Sequence, residues 1–123
     1  MRVFDLKKIW GVIWPYLIFI AVTTIMIFYQ LKAGVFTSGA DTFFHSARFY
    51  DAAMQIKNHN FSPFQSNYGF QQSGRVINAL YGPAFAYLNG LILLITKTWF
   101  NYQIFTDYFI CLLGAGTMMY LLQ

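Results

Sequence analysis

Charge is what this sequence has least of. Only 10% of its 123 residues are charged, while 58% are hydrophobic and 21% are aromatic. Soluble domains carry about 25% charged residues, so the deficit points to a membrane protein. Cysteine is nearly absent. Cys111 stands alone in an apolar run, which excludes a disulfide framework within the chain and reads as a small packing residue. The eight Lys and Arg are scattered and form no basic cluster with interleaved stacking aromatics. Nucleic acid is therefore not an expected partner, and anionic lipid head groups are. The chain also lacks a Gly-rich phosphate loop, a serine nucleophile elbow, a Cys-x-x-Cys pair, an HExxH motif and internal repeats.

Long apolar runs are what it has. Ile9 to Tyr29 carries no charge, with Trp10, Trp14 and Tyr16 near one end and Tyr29 near the other. About 20 helical residues cross the hydrocarbon, and aromatic belts mark its edges. Pro15 is expected in the first turns, where a missing N–H costs little. A signal peptide would have a shorter apolar core and a small-residue cleavage site. Tyr29-Gln30-Leu31-Lys32 is a poor one, so this run reads as an uncleaved span. Arg2, Lys7 and Lys8 precede it and place the N-terminus in the cytoplasm.

Two further spans are expected, at 79–96 and 104–122. Pro83 suits the first turn of the second. Asn89 and Gly90 mark helix contact there, as do Gly114, Ala115 and Gly116 in the third. Lys97 to Gln103 reads as a cytoplasmic turn. The fold class is all-α: a polytopic bundle of about three spans with an outer loop over 32–78. The chain stops directly after an apolar run and is expected to be the N-terminal part of a larger protein. The remaining transmembrane helices, or a partner subunit, would cover its small and polar surfaces.

The outer loop holds the chemistry. Ser38 to Asn58 reads as an amphipathic helix, opened by Ser38 with Asp41 three residues later in a capping-box spacing. Phe43, Ala47, Tyr50 and Met54 would form its apolar face. Asp41, His45, Arg48, Ala52 and Gln55 would lie opposite, with Asp51 beside them. Asn60 to Asn78 reads as an ordered loop, punctuated by Pro63, Gly69 and Gly74 and rich in aromatics.

Asp41, His45 and Arg48 at i, i+4 and i+7 share one face. A carboxylate and an imidazole one turn apart can hold a divalent metal or move a proton. An arginine one turn further can grip a phosphate. The plainer reading has Asp41 capping the helix, His45 solvated, and Arg48 paired with Asp41 or Asp51. Arg75, ahead of the second span, suits a lipid phosphate or an interfacial anchor. Asp107 is an intramembrane carboxylate or a helix-start residue. His59 reads as a residue at a helix end.

Gly39-Ala40-Asp41-Thr42-Phe43-Phe44-His45-Ser46-Ala47-Arg48, a Lys57–Phe61 turn, and then Tyr81-Gly82-Pro83 with Tyr87 form a pattern. It resembles bacterial polytopic membrane proteins with the 6-pyruvoyl-tetrahydropterin-synthase-related domain, which look like GT-C-fold glycosyltransferases. The resemblance covers Gly39 to Tyr87, with the spans matching in hydropathy only. It implies transfer of a sugar from a polyprenyl-phosphate carrier to a cell-envelope acceptor at the outer face of the plasma membrane. It implies Asp41 as general base or metal ligand, His45 and Arg48 in support, and Arg48 or Arg75 near the donor phosphate. A GT-C signature often carries two adjacent acidic residues, whereas Asp41 is followed by Thr42, and the metal stays open. The alternatives are a non-catalytic small membrane protein, such as an assembly or transport subunit, and a transporter segment using Asp107.

Overall fold

Six α-helices and a single 3-10 turn account for the regular structure in a computed structural model that describes residues 6–121. The helices are α1 (Leu6–Met26), α2 (Phe28–Ala33), α3 (Thr42–Lys57), α4 (Asn78–Tyr81), α5 (Pro83–Thr96) and α6 (Trp99–Leu121), and the 3-10 turn covers Phe70–Gln72. Arg2 of the basic leader lies outside the described residues, as do the side chains of Lys7 and Lys8. So does Leu122 at the end of the expected third span. No strand occurs among the described residues.

Of these helices only α6 is long and apolar enough to cross a membrane. The apolar stretch of α1 covers Trp10–Met26. Its Pro15 lies well inside the helix rather than in the first turns. There it removes an i→i−4 hydrogen bond. The expected span at 79–96 is broken. Gly82, at φ 71° and ψ 124°, separates α4 from α5. Pro83 then opens α5, as the sequence suggests. The expected turn after α5 is shorter than 97–103, because α6 begins at Trp99.

The chain divides into two compact units: Met1–Val35 with Gln103–Gln123, and Phe36–Tyr102. The first is an antiparallel helix pair. Thr24 and Tyr108 share a hydroxyl hydrogen bond of 2.7 Å, and Gln30 Nε2 donates to Gln103 Oε1 at 2.6 Å. Further along, a Cβ built on Gly116 would lie 3.3 Å from the Tyr16 hydroxyl. Rising numbers on α1 thus meet falling numbers on α6. Thr23 and Ala115 are buried in this pair. Of the small-residue patch expected to pack closely, Ala115 and Gly116 do so, whereas Gly114 is exposed with open space beside it.

The second unit is built on α3 lying along α5. Its core joins Phe49, Ala52 and Ala53 to Ala86, Leu93 and Tyr102. Gly90 sets the spacing, since a Cβ there would lie 2.7 Å from the Ala53 backbone nitrogen. Arg48 reaches the Gly82 carbonyl and Ala52–Ala53 meets Gly90, so the two helices run in the same direction. The chain returns between them through the loop that follows Lys57.

That loop decides which face of α3 is inside. The face expected to be buried is in large part exposed: Phe43 by 77% and Tyr50 by 43%. Arg48, Asp51, Ala52 and Gln55, expected on the outer side, are buried. The physical reason is the partner. A returning loop offers backbone N–H and C=O groups that must be satisfied, and polar side chains on α3 satisfy them. The Asp51 Oδ1 accepts from the backbone N–H groups of Asn67, Tyr68 and Gly69 at 2.9, 2.6 and 3.0 Å. Gln55 Nε2 donates to Asp51 Oδ2 and to the Gln65 carbonyl. Gln55 Oε1 accepts from the Ser62 N–H and the Tyr87 hydroxyl.

Candidate functional site

The N-terminal half of α3 carries the residues singled out by the sequence. The helix starts at Thr42, with Asp41 at the N-cap position and no side-chain capping bond from it. The capping box expected from Ser38 does not form. Instead the Gly39 N–H donates to Thr42 Oγ1 at 2.6 Å. Asp41 is exposed. Its carboxylate stands where the first-turn N–H groups of a helix favour negative charge.

One turn on, half-buried His45 meets Arg48. The His45 Nδ1 and Arg48 Nη1 are 3.3 Å apart. Arg48 is only 2% exposed. Its Nε donates to Asn78 Oδ1 at 3.1 Å, Nη2 faces the Gly82 carbonyl at 3.4 Å, and the guanidinium lies 4.9 Å from the Tyr81 ring centre. The expected pairing with Asp41 or Asp51 is absent, and no carboxylate meets Arg48 among the described residues. Burial pushes its pKa below the ordinary arginine value, and a guanidinium stays charged at neutral pH regardless. Arg48 is thus a buried cation held by neutral acceptors and an aromatic face. It ties α3 to the Asn78–Gly82 corner and is not exposed to a phosphate.

An aromatic collar surrounds this end. The Phe44 ring packs against Phe70, Tyr81 and His45, at centroid distances of 5.6, 5.3 and 5.2 Å. Tyr81 is 55% exposed. Exposed Arg75 reaches over the outer side of Phe70, 6.0 Å from its ring centre. A shallow depression of about 250 Å³ is lined by Phe70, Gln71 and Arg75. The backbone beneath it is strained, since Phe70, Gln71 and Gln72 all have φ between 49° and 59°. Left-handed backbone costs a non-glycine residue roughly 1–2 kcal/mol. It persists where neighbours hold it, and here the Asp51 grip on Asn67–Gly69 does so.

The structure therefore joins His45 to Arg48 directly, and Arg75 to that pair through Phe70 and Phe44. The Asp41 carboxylate shares no hydrogen bond with either; only its backbone carbonyl accepts from the His45 N–H, at 3.1 Å. No three metal-ligating side chains converge among the described residues, so a divalent ion at Asp41 would need further ligands. Asp107 is half-buried eight residues into α6, away from the helix start. His59 follows α3 with φ 52°. Sequence reasoning undervalued Asp51 and Gln55. Their i, i+4 spacing on one helix, ahead of a glycine-punctuated loop, is the signal that could have found them.

No protein-family model, curated protein or solved structure matches this chain.

Proposed function

We propose that this chain is the N-terminal segment of a GT-C-like integral membrane glycosyltransferase. It would move a sugar from a polyprenyl-phosphate carrier to a cell-envelope acceptor. In this reading α6 crosses the plasma membrane and α1, whose apolar stretch Trp10–Met26 is shorter, crosses beside it, with a cytoplasmic N-terminus from Arg2, Lys7 and Lys8. The reading rests on the resemblance over Gly39 to Tyr87 and on one observation. Asp41 presents an exposed carboxylate, free of capping duty, at the end of α3 that carries the aromatic collar.

The roles follow from exposure. Asp41 takes the proton of the acceptor hydroxyl. His45 and Arg48 hold the first turns of α3 against the Asn78–Gly82 corner. Arg75, exposed and backed by Phe70, faces the donor phosphate, while buried Arg48 positions rather than binds. Tyr81 offers an apolar ring face of the kind that sugar C–H groups stack on.

The test is Asp41→Asn in the native protein, assayed in isolated membranes with radiolabelled polyprenyl-phosphate sugars. Loss of a general base lowers transfer by about 100-fold or more, with the amount of membrane-inserted protein unchanged. Equal transfer by the variant, or no transfer by the unaltered protein, overturns the reading.

A further inference from the structure

We infer that α5 does not cross the membrane but lies in its outer interface, with its bare apolar stripe docked on an anionic bilayer surface. Residues 36–102 then stay on one side of the membrane. The inference goes beyond the glycosyltransferase reading and does not depend on sugar transfer.

Length is the first ground. The 14 residues of α5 reach about 21 Å at 1.5 Å each, against a hydrocarbon core of about 30 Å. Neither end can extend. Gly82 breaks the helix before Pro83, and Lys97 closes it in a left-handed conformation at φ 65°.

The companion of α5 is the second ground. α3 and the loop after it are packed along α5, bound through Gly90, Asp51 and Gln55. A membrane-crossing α5 would carry this loop to the same depth. Its segment from Asn60 to Gln65 is irregular and largely exposed. Irregular backbone facing lipid leaves N–H and C=O groups unsatisfied, which the hydrocarbon region does not tolerate.

The third ground is the first unit. The Gln30–Gln103 hydrogen bond joins the last helical residues before the second unit to the first residue after it. Both chain passages therefore lie at one end of the α1–α6 pair. If that pair spans, the number of crossings between the two passages is even, so α5 cannot cross as a lone helix.

The surface of α5 says what covers it. Ala86, Asn89, Gly90 and Leu93 are buried against α3 and its neighbours. On the other side, Ala84, Leu88, Leu91 and Ile95 recur at i, i+4, i+7 and i+11, with Leu88, Leu91 and Ile95 exposed by 54%, 47% and 70%. One apolar stripe on a short helix suits burial in the headgroup–acyl boundary. The exposed charges of this unit are Lys57, Arg75 and Lys97 against Asp41 alone, an excess that complements anionic lipid. At the shared C-terminal end of α3 and α5, a groove of about 490 Å³ has Met54, Leu93 and Leu94 in its lining, with Lys57, Lys97 and Trp99. It is shaped for a phosphate head group with the start of an acyl chain.

Two measurements on the full protein in its native membrane test this. Ser38→Cys and Lys97→Cys, each in a Cys111→Ser background, are exposed to a membrane-impermeant maleimide on intact cells. The inference expects both to label equally without permeabilisation. Labelling of Lys97→Cys only after the membrane is opened, with Ser38→Cys labelled before, overturns it. Leu91→Cys, carrying a bimane fluorophore, is then read in vesicles containing 5-doxyl or 12-doxyl lipid. Stronger quenching by the shallow 5-doxyl probe is expected. Stronger quenching by 12-doxyl means a spanning helix, and no quenching by either means that protein covers the stripe; both overturn the inference. An inactive or an unaffected Asp41→Asn variant leaves these readouts unmoved, so the two proposals fail separately.

Discussion

Asp51 and Arg48 are both buried and both charged, yet they do not neutralise each other. A buried charge without a counter-charge is tolerated only when hydrogen bonds replace the lost water. Asp51 has three backbone N–H groups and one amide. Arg48 has an amide oxygen, a carbonyl, an imidazole and a ring face. Each therefore fixes a separate stretch of chain: Asp51 the Asn67–Gly69 bend, Arg48 the Asn78–Gly82 corner. Asp51→Ala leaves three N–H groups without their acceptor. Removing a charged hydrogen-bond partner inside a protein costs about 3 kcal/mol. The expected outcome is a loop opened to protease, with tryptic cleavage after Arg75 accelerated by about 100-fold where opening equilibrates before cleavage. Unchanged cleavage would mean that the loop holds without Asp51. The sequence points to Arg48 through its spacing to Asp41 and His45. Its burial is set by residues 30 and more positions away, which spacing along one helix does not register.

At the scale of the element, α3 and α5 depend on small residues rather than on interlocking large ones. Gly90 faces Ala52 and Ala53, and Gly69 faces the Ala47 carbonyl with room for no Cβ, which would lie 2.6 Å away. Gly90→Leu should push the helices apart and destabilise the second unit by about 3 kcal/mol, since overpacking against backbone is costly. A fall in the melting temperature of the detergent-solubilised protein measures this, and an unchanged value would place the helices farther apart than described. The same packing explains what was legible. The end of α3 near Asn58, the Pro83 start of α5 and the apolar length of α6 were readable, because each depends on local chemistry. The inner face of α3 was not. Periodicity marks Phe43, Tyr50 and Met54 as the stripe to bury, but a polar loop lies against the other side and needs Asp51 and Gln55. The break at Gly82 was hidden too, because Tyr81-Gly82-Pro83 reads equally well as the opening of a longer span.

For the whole molecule, the division into a helix pair and an inserted unit matters more than the count of apolar runs. Hydropathy alone sees three runs of similar character. On the inference drawn above, length and backbone satisfaction separate α5 from α1 and α6. The candidate site was legible as a neighbourhood: Asp41, His45, Arg48 and Arg75 belong to one unit, and Phe44 and Phe70 link the last of them to His45. Its depth was not legible, since exposure separates Asp41 and Arg75 from Arg48.

The Gln30–Gln103 closure has a further effect, on the unfolded chain. A segment whose two ends are pinned by a helix pair that stays folded cannot expand as a free polypeptide does. The clamp removes disorder from the denatured ensemble in the way a cross-link does. For a loop of roughly 70 residues that restriction is equivalent to about 4 kcal/mol. Residues 36–102 expressed without their hairpin should therefore unfold at markedly lower denaturant concentration than the same residues within the intact chain. A cross-linker joining the two new ends should restore most of the difference. Equal midpoints would show that the helix pair does not tether the segment.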